Sequence, residues 1–284
     1  MDFHSPADLR EALEYKALRP EAVPIAGGTD VMVELNFDMR RPQALLDLNR
    51  VDELCEWGRD GEFVRIGACL PYTRVIDEIG TLLPGLAMAA RTIGSPQIRN
   101  RGTLGGNLGA ASPAGDGHPP LVAAGAQIEA ASVRGVRRIP ATEFFTGVKR
   151  NALEPDELIT AVLAPAASGP QQFAKIGTRN AMVIAVCAFA IDLDPAKATV
   201  GACIGSAAPT PRRAAAAETF LAAELPWEAR GDVDEAVTRR FGELVAEAAD
   251  PIDDVRGSAA YRRHALNVMA RRCLGWAWKE YQCG

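Results

Sequence analysis

Two short stretches place glycine beside small polar residues in the way phosphate binding uses them: Ala26-Gly27-Gly28-Thr29-Asp30 and Gly102-Thr103-Leu104-Gly105-Gly106-Asn107. Glycine lets the backbone reach positive φ and has no Cβ to hold an oxygen away, so successive N–H groups can turn toward one point. A helix starting just after such a turn adds unsatisfied N–H groups and the positive end of its dipole, and Thr29 adds a hydroxyl donor. That is pyrophosphate chemistry without a basic side chain. Taken alone, Gly-Gly-Thr-Asp reads equally as a tight turn with a capping residue. Two such nests, however, can clamp one diphosphate. Asn107 can donate and accept, and Asp116, nine residues on, could take hydrogen bonds from ribose hydroxyls. Neither stretch has the G-x-G-x-x-G or G-x-x-x-x-G-K-[ST] spacing, so the Rossmann and P-loop forms do not apply.

The elements that must position these nests are legible from periodicity. Ser5-Pro6-Ala7-Asp8 before Leu9, Ala12 and Leu13 reads as an N-cap at Ser5, Pro at the first helical position and an apolar stripe. The apolar run 22–26 predicts a strand ended by Gly27-Gly28, and Val31, Met32 and Leu35 then recur at helical spacing. Strands are expected at 44–48 and 63–68, helices at 72–79 and 84–92, a hairpin at 127–132 and 136–139, and a strand at 158–163. From 91 to 120 the pattern dissolves into Gly, Pro, Asn, Ser and Asp, a long irregular stretch that compact domains keep for a ligand. The Ala-, Pro-, Ser- and Gly-rich segment 164–170 is the domain boundary candidate. Beyond it, strands at 173–176, 183–191 and 199–204 precede helical patterns at 211–225, 233–249 and 259–281, which predicts a second α+β layer.

Composition excludes several function classes. The 284 residues suffice for two domains, and a net charge of −5 from 31 Lys+Arg against 36 Asp+Glu, without long blocks of one sign, gives no footprint for nucleic acid. With no basic leader and no long apolar run, the expectation is a cytoplasmic protein without membrane insertion. Cys55, Cys69, Cys187, Cys203, Cys273 and Cys283 are scattered singly with only three histidines, which predicts reduced thiols, no metal site and no iron–sulfur cluster in this chain.

Several longer strings are shared with a known family. Pro24-Ile25-Ala26-Gly27-Gly28-Thr29-Asp30, the run Ile93-Gly94-Ser95-Pro96-Gln97-Ile98-Arg99-Asn100-Arg101 leading into the second nest, Ala111-Ser112-Pro113 with Asp116, Lys175-Ile176-Gly177-Thr178-Arg179-Asn180-Ala181, and Gly205-Ser206-Ala207-Ala208-Pro209-Thr210-Pro211-Arg212-Arg213-Ala214 closely resemble the FAD-binding subunits of molybdenum hydroxylases. These are the bacterial xanthine dehydrogenases, carbon monoxide dehydrogenases and their relatives. The resemblance runs in order along essentially the entire chain. It implies an α+β fold: a vanillyl-alcohol-oxidase/PCMH-type FAD domain at 1–168, with subdomains at about 1–55 and 56–168. A smaller C-terminal domain of antiparallel strands and helices would occupy 169–284.

The same resemblance implies the site. Ile25, Ala26, Gly27, Gly28, Thr29, Asp30 and Val31 would wrap one side of the FAD pyrophosphate, and Thr103, Gly106 and Asn107, with Ala110 nearby, the other. Asp116 would hold the adenosine ribose. Ile93 and Gly94 would line the cofactor, and Ile159 and Lys175 would sit near the flavin ring, where a cation stabilises the anionic reduced form. Ile184 stands where similar carbon monoxide dehydrogenases carry Tyr and xanthine dehydrogenases Ile, which favours the latter and leaves that flavin face open to NAD. Clustered cysteines for an additional 4Fe–4S centre, as in benzoyl-CoA-type relatives, are missing. The molybdenum cofactor and two 2Fe–2S clusters are then expected on a large and a small partner subunit, in a dimer of heterotrimers. Electrons would pass from the clusters through FAD to NAD or another acceptor while a purine or related substrate is hydroxylated on the partner.

Alternatives stay in view. An FAD subunit of a carbon monoxide dehydrogenase or of an aldehyde or N-heterocycle hydroxylase would share these motifs. A stand-alone flavin reductase of the same fold would need a general acid opposite the flavin, for which no Ser, Glu or Cys stands out. A cofactor-free scaffold subunit is the third. Arg99 and Arg101 could touch phosphate or a partner or simply be solvated. His118, before Pro119-Pro120, reads as a structural residue of a surface turn, and Trp276 and Trp278 as packing residues on different faces of a helix.

Overall fold

The computed structural model describes residues 1–284. The chain opens with a small parallel sheet in the order Asp2–His4, Ala44–Asp47, Val23–Ile25. The helices Leu9–Leu18 and Val31–Asn36 supply its crossovers. Asp8 caps the first helix by accepting from the Glu11 N–H at 2.8 Å, so Ser5 is not the cap: its hydroxyl donates to Asp47 at 3.2 Å instead. Alternating Ala44, Leu46 and Leu48 bury one sheet face against Ala12, Ala22 and Leu54.

A five-stranded antiparallel sheet follows, in the order Trp57–Asp60, Phe63–Gly67, Leu158–Pro165, Gln127–Ser132, Gly135–Pro140. Its last two strands are the expected hairpin, turning at Arg134 between Ser132 and Gly135. The Leu158–Pro165 strand is bulged between Ile159 and Ala161, which puts Ile159 on the core side with Val162 and Ala164. The helices Tyr72–Glu78 and Pro84–Thr92 cover that core. The stretch expected to be irregular, 91–120, contains three short helices, Pro96–Arg99, Leu104–Ala110 and His118–Ala123. Ser95 and Thr103 cap the first two through their side-chain oxygens, a local start signal that outweighs the glycine content.

The C-terminal sheet runs Gln171–Ile176, Cys187–Asp194, Thr199–Gly205, Arg212–Arg213, all antiparallel. The expected strand 183–191 begins only at Cys187, and the pattern at 211–225 opens with the short strand Arg212–Arg213 before the helix Ala215–Glu224. This sheet is covered on both faces, and residue size alternates accordingly. Phe189, Ile191, Leu193 and Ile204 face the helices Ala215–Glu224, Glu235–Ala248 and Ala259–Cys283, where Phe189 meets Phe241 edge-on at 6.2 Å. Each such aromatic burial contributes about 1.5–3 kcal/mol. Ala188, Ala190 and Cys203 face the other way, into the core of the five-stranded sheet. On this small-residue face Gly201 and Gly205 admit the His118–Ala123 helix: an added Cβ would lie 2.0 Å from the Ala123 carbonyl oxygen and 2.6 Å from Pro119. His118 is therefore buried to 1% exposure in a helix between two sheets, not in a surface turn.

Trp278 is buried and donates to the Gly231 carbonyl, whereas Trp276 is half exposed, so the pair does lie on different faces. No helix is long and apolar enough to cross a membrane.

The Gly201 contact yields a stability prediction. Gly201→Ala should cost about 1–3 kcal/mol, because backbone rather than a flexible side chain must move. Chemical denaturation checks it, and a midpoint equal to that of the parent protein contradicts this packing.

Candidate functional site

The first glycine turn follows the Val23–Ile25 strand directly. Gly28 has φ +74°, which a residue with a Cβ reaches only under strain. The backbone N–H groups of Gly27, Gly28, Thr29 and Asp30 donate to no acceptor in the protein. Val31 then opens the next helix, and Asp30 ahead of it makes no capping bond with its side chain. Desolvated donors without partners are costly, so successive free amides at a half-buried turn are available to an anion.

Gly27 presses on the second motif: a Cβ there would sit 1.8 Å from the Arg101 carbonyl oxygen and 2.9 Å from the Gly102 nitrogen. Thr29 Oγ1 would lie 3.4 Å from a Cβ on Gly102. Asn49 ties the two from the side, donating to the Ala26 carbonyl at 2.8 Å and accepting from Arg101 at 3.2 Å. The two stretches, far apart in sequence, thus form one continuous wall.

The second motif contributes differently from its sequence pattern. The Gly105 N–H donates to the Ala68 carbonyl at 2.9 Å, the Gly106 N–H to Thr103 Oγ1 at 3.0 Å, and the Asn107 N–H to the Thr103 carbonyl at 3.0 Å. Those amides are spent inside the protein, and the acceptor side of Thr103 serves as a helix cap. Gly105 is glycine because Ala68 leaves no room, a Cβ meeting its Cβ at 2.6 Å. Gly106 and Gly109 are exposed and open instead: a Cβ would meet only Thr103 Oγ1 at 3.1 Å in the first case and Ile159 Cδ1 at 4.0 Å in the second. This helix therefore offers a flat approach surface, with Asn107 half exposed and Ala110 at its end, and Ile159 beneath Gly109.

A third group lies where the C-terminal sheet reaches the wall. Lys175 Nζ contacts Asp116 Oδ2 at 2.5 Å, with both side chains almost entirely buried, and Thr92 donates to the same oxygen at 3.1 Å. Burial raises the Asp116 carboxyl above its ordinary range, against the opposing pull of the Lys175 charge and the hydrogen bonds from Lys175 and Thr92. Sequence reasoning sent Lys175 to the flavin and Asp116 to the adenosine ribose, yet the two are in contact, so they mark one end of a site.

Beside them a cleft of about 420 Å³ is lined by Arg91, Arg99, Lys175 and Arg179, with Gly94 and Val183 among its walls and no carboxylate. Gly94 has φ +48°, and Arg99 donates to the carbonyls of Ile93 and Gly94 at 3.1 and 3.3 Å, fixing that turn. Arg99 is thus a structural clamp as well as a cleft charge, whereas Arg101 is exposed. Ile184 follows Val183 at the cleft rim and is 54% exposed. Arg91, Thr92 and Arg179 were not singled out from the sequence. Only the fold shows that they share a wall with Lys175.

Free amides on one motif, an open glycine face on the other and a cleft of positive side chains beside them are features suited to an anionic ligand. Comparison with known proteins specifies it further. Residues 1–167 match the family described as FAD binding domain in molybdopterin dehydrogenase, and residues 172–277 match the CO dehydrogenase flavoprotein C-terminal domain. The chain belongs to this family of molybdenum hydroxylase FAD subunits.

It is 32% identical over 97% of its length to the xanthine dehydrogenase FAD-binding subunit of Escherichia coli O157:H7, covering 95% of that protein. It is 36% identical over 72% of its length to the nicotinate dehydrogenase FAD-subunit of Eubacterium barkeri, covering 74% of that chain. Among solved structures, reconstituted CO dehydrogenase from Oligotropha carboxidovorans superposes with a TM-score of 0.91 at 27% identity. Quinoline 2-oxidoreductase from Pseudomonas putida 86 gives 0.90 at 26%, and each comparison covers 99% of this chain and 98% of the other. The expected fold, an FAD-binding domain followed by a C-terminal α+β domain in an oxidoreductase subunit, is thereby established. The free amides at 27–30 and the open faces of Gly106 and Gly109 fit FAD.

Lys175→Met would leave Asp116 buried without its cation, a change that costs about 3–5 kcal/mol in such pairs. A carboxyl whose folded pKa is raised binds protons more readily folded than unfolded, so stability falls as pH rises between the two pKa values. The Lys175→Met penalty should therefore be largest at neutral pH and shrink in mild acid. Unfolding measured at both pH values checks this, and a pH-independent penalty contradicts the pairing.

Proposed function

We propose that the chain is the electron-relay subunit of a xanthine dehydrogenase-type molybdenum hydroxylase, holding FAD non-covalently between the two glycine motifs. The observation that supports this most directly is the run of free amides at Gly27–Asp30, in a turn that packs on the Arg101–Gly102 backbone just ahead of the open Gly106. FAD supplies the conversion of single electrons from iron–sulfur clusters into a two-electron transfer.

The chain's own residues divide the binding task. The amides of Gly27, Gly28, Thr29 and Asp30 receive the pyrophosphate, with Ile25, Ala26 and Val31 shaping the turn, and Thr103, Gly106, Asn107 and Ala110 form the opposing surface. Lys175 and Asp116 act together at the flavin end, bounded by Ile93 and Gly94. Lys175 offsets negative charge that develops on the reduced ring, and Asp116 keeps the ammonium in place. Ile159, below Gly109, supports the helix surface. Ile184 at the cleft rim leaves room for NAD or another acceptor.

The substrate is set on a partner chain. Relatives named for xanthine, nicotinate, carbon monoxide and quinoline align with this chain over most or all of its length. A fold shared across such different substrates supports a common relay role, with the molybdenum cofactor on a large subunit and two 2Fe–2S clusters on a small one. A cytoplasmic dimer of heterotrimers acting on a purine or related heterocycle is the assembly we infer, with the FAD domain at 1–168 and the C-terminal domain at 169–284.

Gly106 gives the cleanest test, because its neighbourhood is open while Gly27 and Gly28 are constrained by packing and φ. Gly106→Val should fold normally yet lose FAD, read as flavin absorbance near about 450 nm in the purified chain. A yellow variant with full occupancy, or a parent protein that binds no FAD and so acts as a bare scaffold, contradicts the proposal. Lys175→Met should lower the flavin midpoint potential, and an unchanged potential removes Lys175 from the flavin end.

A further inference from the structure

Cys55 and Cys69 lie where the parallel-sheet subdomain joins the antiparallel-sheet subdomain, and the proposed function uses neither. The pairing of Trp57–Asp60 with Phe63–Gly67 runs on past both strand ends: the Gly67 N–H donates to the Glu56 carbonyl at 2.9 Å and the Cys69 N–H to the Leu54 carbonyl at 2.8 Å. The approach is close, since a Cβ on Gly67 would lie 2.3 Å from the Leu54 carbonyl oxygen and 2.7 Å from that of Glu56. Cys55 thus stands opposite Ala68, next to Cys69. In a regular strand residues 68 and 69 would point to opposite faces. Here a turn closed by the Leu70 N–H on the Gly67 carbonyl at 3.0 Å interrupts the strand, and the two thiols meet, hydrogen-bonded to each other. Cys69 is buried in the small core with Ala12, Ala22, Leu46 and Leu54, and Cys55 packs on the same core while only half-buried.

The two sulfurs are chemically unequal. Cys69 gives its hydrogen to Cys55, and that contact holds the Cys55 thiol below its ordinary pKa. Burial and the negative charges of Asp52 and Glu56 oppose it, and the Arg74 charge assists. The same hydrogen bond, with burial second, raises Cys69. Arg74 is fixed in place, donating to the Cys55 carbonyl at 2.7 Å and to Glu78 at 2.6 Å. Burial raises the thiols of Cys187, Cys203 and Cys273, and no sulfur partner offsets it there. Cys55 is therefore the thiol that combines a partner sulfur, thiolate character and a path to solvent, the combination that reactive cysteines need.

We propose that Cys55 and Cys69 are a peroxide-oxidised dithiol, in which Cys55 reacts first and Cys69 closes a disulfide that links the two subdomains. The Cys55 thiolate takes one oxygen of hydrogen peroxide as the O–O bond breaks, giving a sulfenic acid, and the departing hydroxide takes up the proton the thiol had lost and leaves as water. Cys69 then no longer faces a thiolate, so the main cause that held its proton is gone. Its sulfur attacks that of Cys55, the S–O bond breaks, and the hydroxyl leaves as water with the Cys69 proton. The two sulfurs together give up two electrons, and the peroxide is reduced to two waters. At rest both residues are free thiols, and a thiol reductant reverses the link. Ala68, beside the pair, donates to the Thr160 carbonyl at 3.0 Å and accepts from the Gly105 N–H at 2.9 Å, so the disulfide forms next to the residue that seats the second glycine motif. The chemistry uses only these thiols and a peroxide, with or without FAD on the wall.

The test treats the full, folded chain with hydrogen peroxide, blocks remaining thiols by alkylation and maps every cysteine by mass spectrometry. The expected product is an intramolecular disulfide between the Cys55 and Cys69 peptides, reversed by dithiothreitol. Loss of the Cys55 thiol should reach half its maximal rate at a lower pH than for N-acetylcysteine measured alongside, because the thiolate is the reacting form. Cys69→Ser should stop at a sulfenic acid on Cys55, trapped by dimedone, whereas Cys55→Ser should leave Cys69 without a dimedone adduct. The proposal is overturned if peroxide leaves both thiols free, if either one pairs with a different cysteine, if Cys69 is oxidised in Cys55→Ser, or if the pH profile matches N-acetylcysteine. The unsubstituted chain alone decides the pairing and the pH profile, so a core variant that fails to fold does not shield the proposal.

Discussion

The site depends on one close backbone contact, Gly27 against the Arg101 carbonyl and Gly102 nitrogen. A parallel-sheet subdomain and an antiparallel-sheet subdomain each bring a turn to this point, and the absence of a Cβ lets the turns touch. Shape rather than charge joins the two: the polar link between them is the neutral Asn49 amide, hydrogen-bonded to Ala26 and Arg101. Once they touch, the unspent amides of 27–30 lie next to the segment that leads to the bare face of Gly106, the donor arrangement the proposed function assigns to a pyrophosphate.

The opposite end is organised by a different force. Lys175 and Asp116 sit on separate elements and meet under the wall, where water is excluded and their attraction is less screened. A buried pair of this kind contributes little to net stability compared with an apolar filling, so its use is better sought in holding a cation at a fixed place. The small-residue face of the C-terminal sheet makes the meeting possible. Ala188, Ala190, Gly201 and Gly205 bring the sheet that carries Lys175 close to the helix that follows Asp116.

Most of the fold was legible in the sequence because its elements bury regular stripes. The helix Pro84–Thr92, the hairpin at Gln127–Ser132 and the long C-terminal helix follow their apolar periods closely. The short strands Asp2–His4 and Trp57–Asp60 did not register, being sheet edges with little buried surface. The helices within 91–120 were hidden by glycine and proline. His118 looked like a surface residue because the helix it opens packs on Gly201 and Gly205, and its ring on Phe145, all distant in sequence. Within the site, the first nest kept the free amides its pattern suggested, while the second spends its amides internally. The contacts between Asp116 and Lys175 and between Cys55 and Cys69 are tertiary facts that no local pattern encodes.

The central claim is that the amides of Gly27–Asp30 are unpaired until a dinucleotide's phosphates reach them. Hydrogen–deuterium exchange on the flavin-free chain, repeated with FAD, measures this directly at the backbone. Fast exchange across 27–30 that slows strongly on adding FAD, with the Leu104–Ala110 helix responding in step, is the predicted result. Bound FAD that leaves exchange at 27–30 untouched would contradict it.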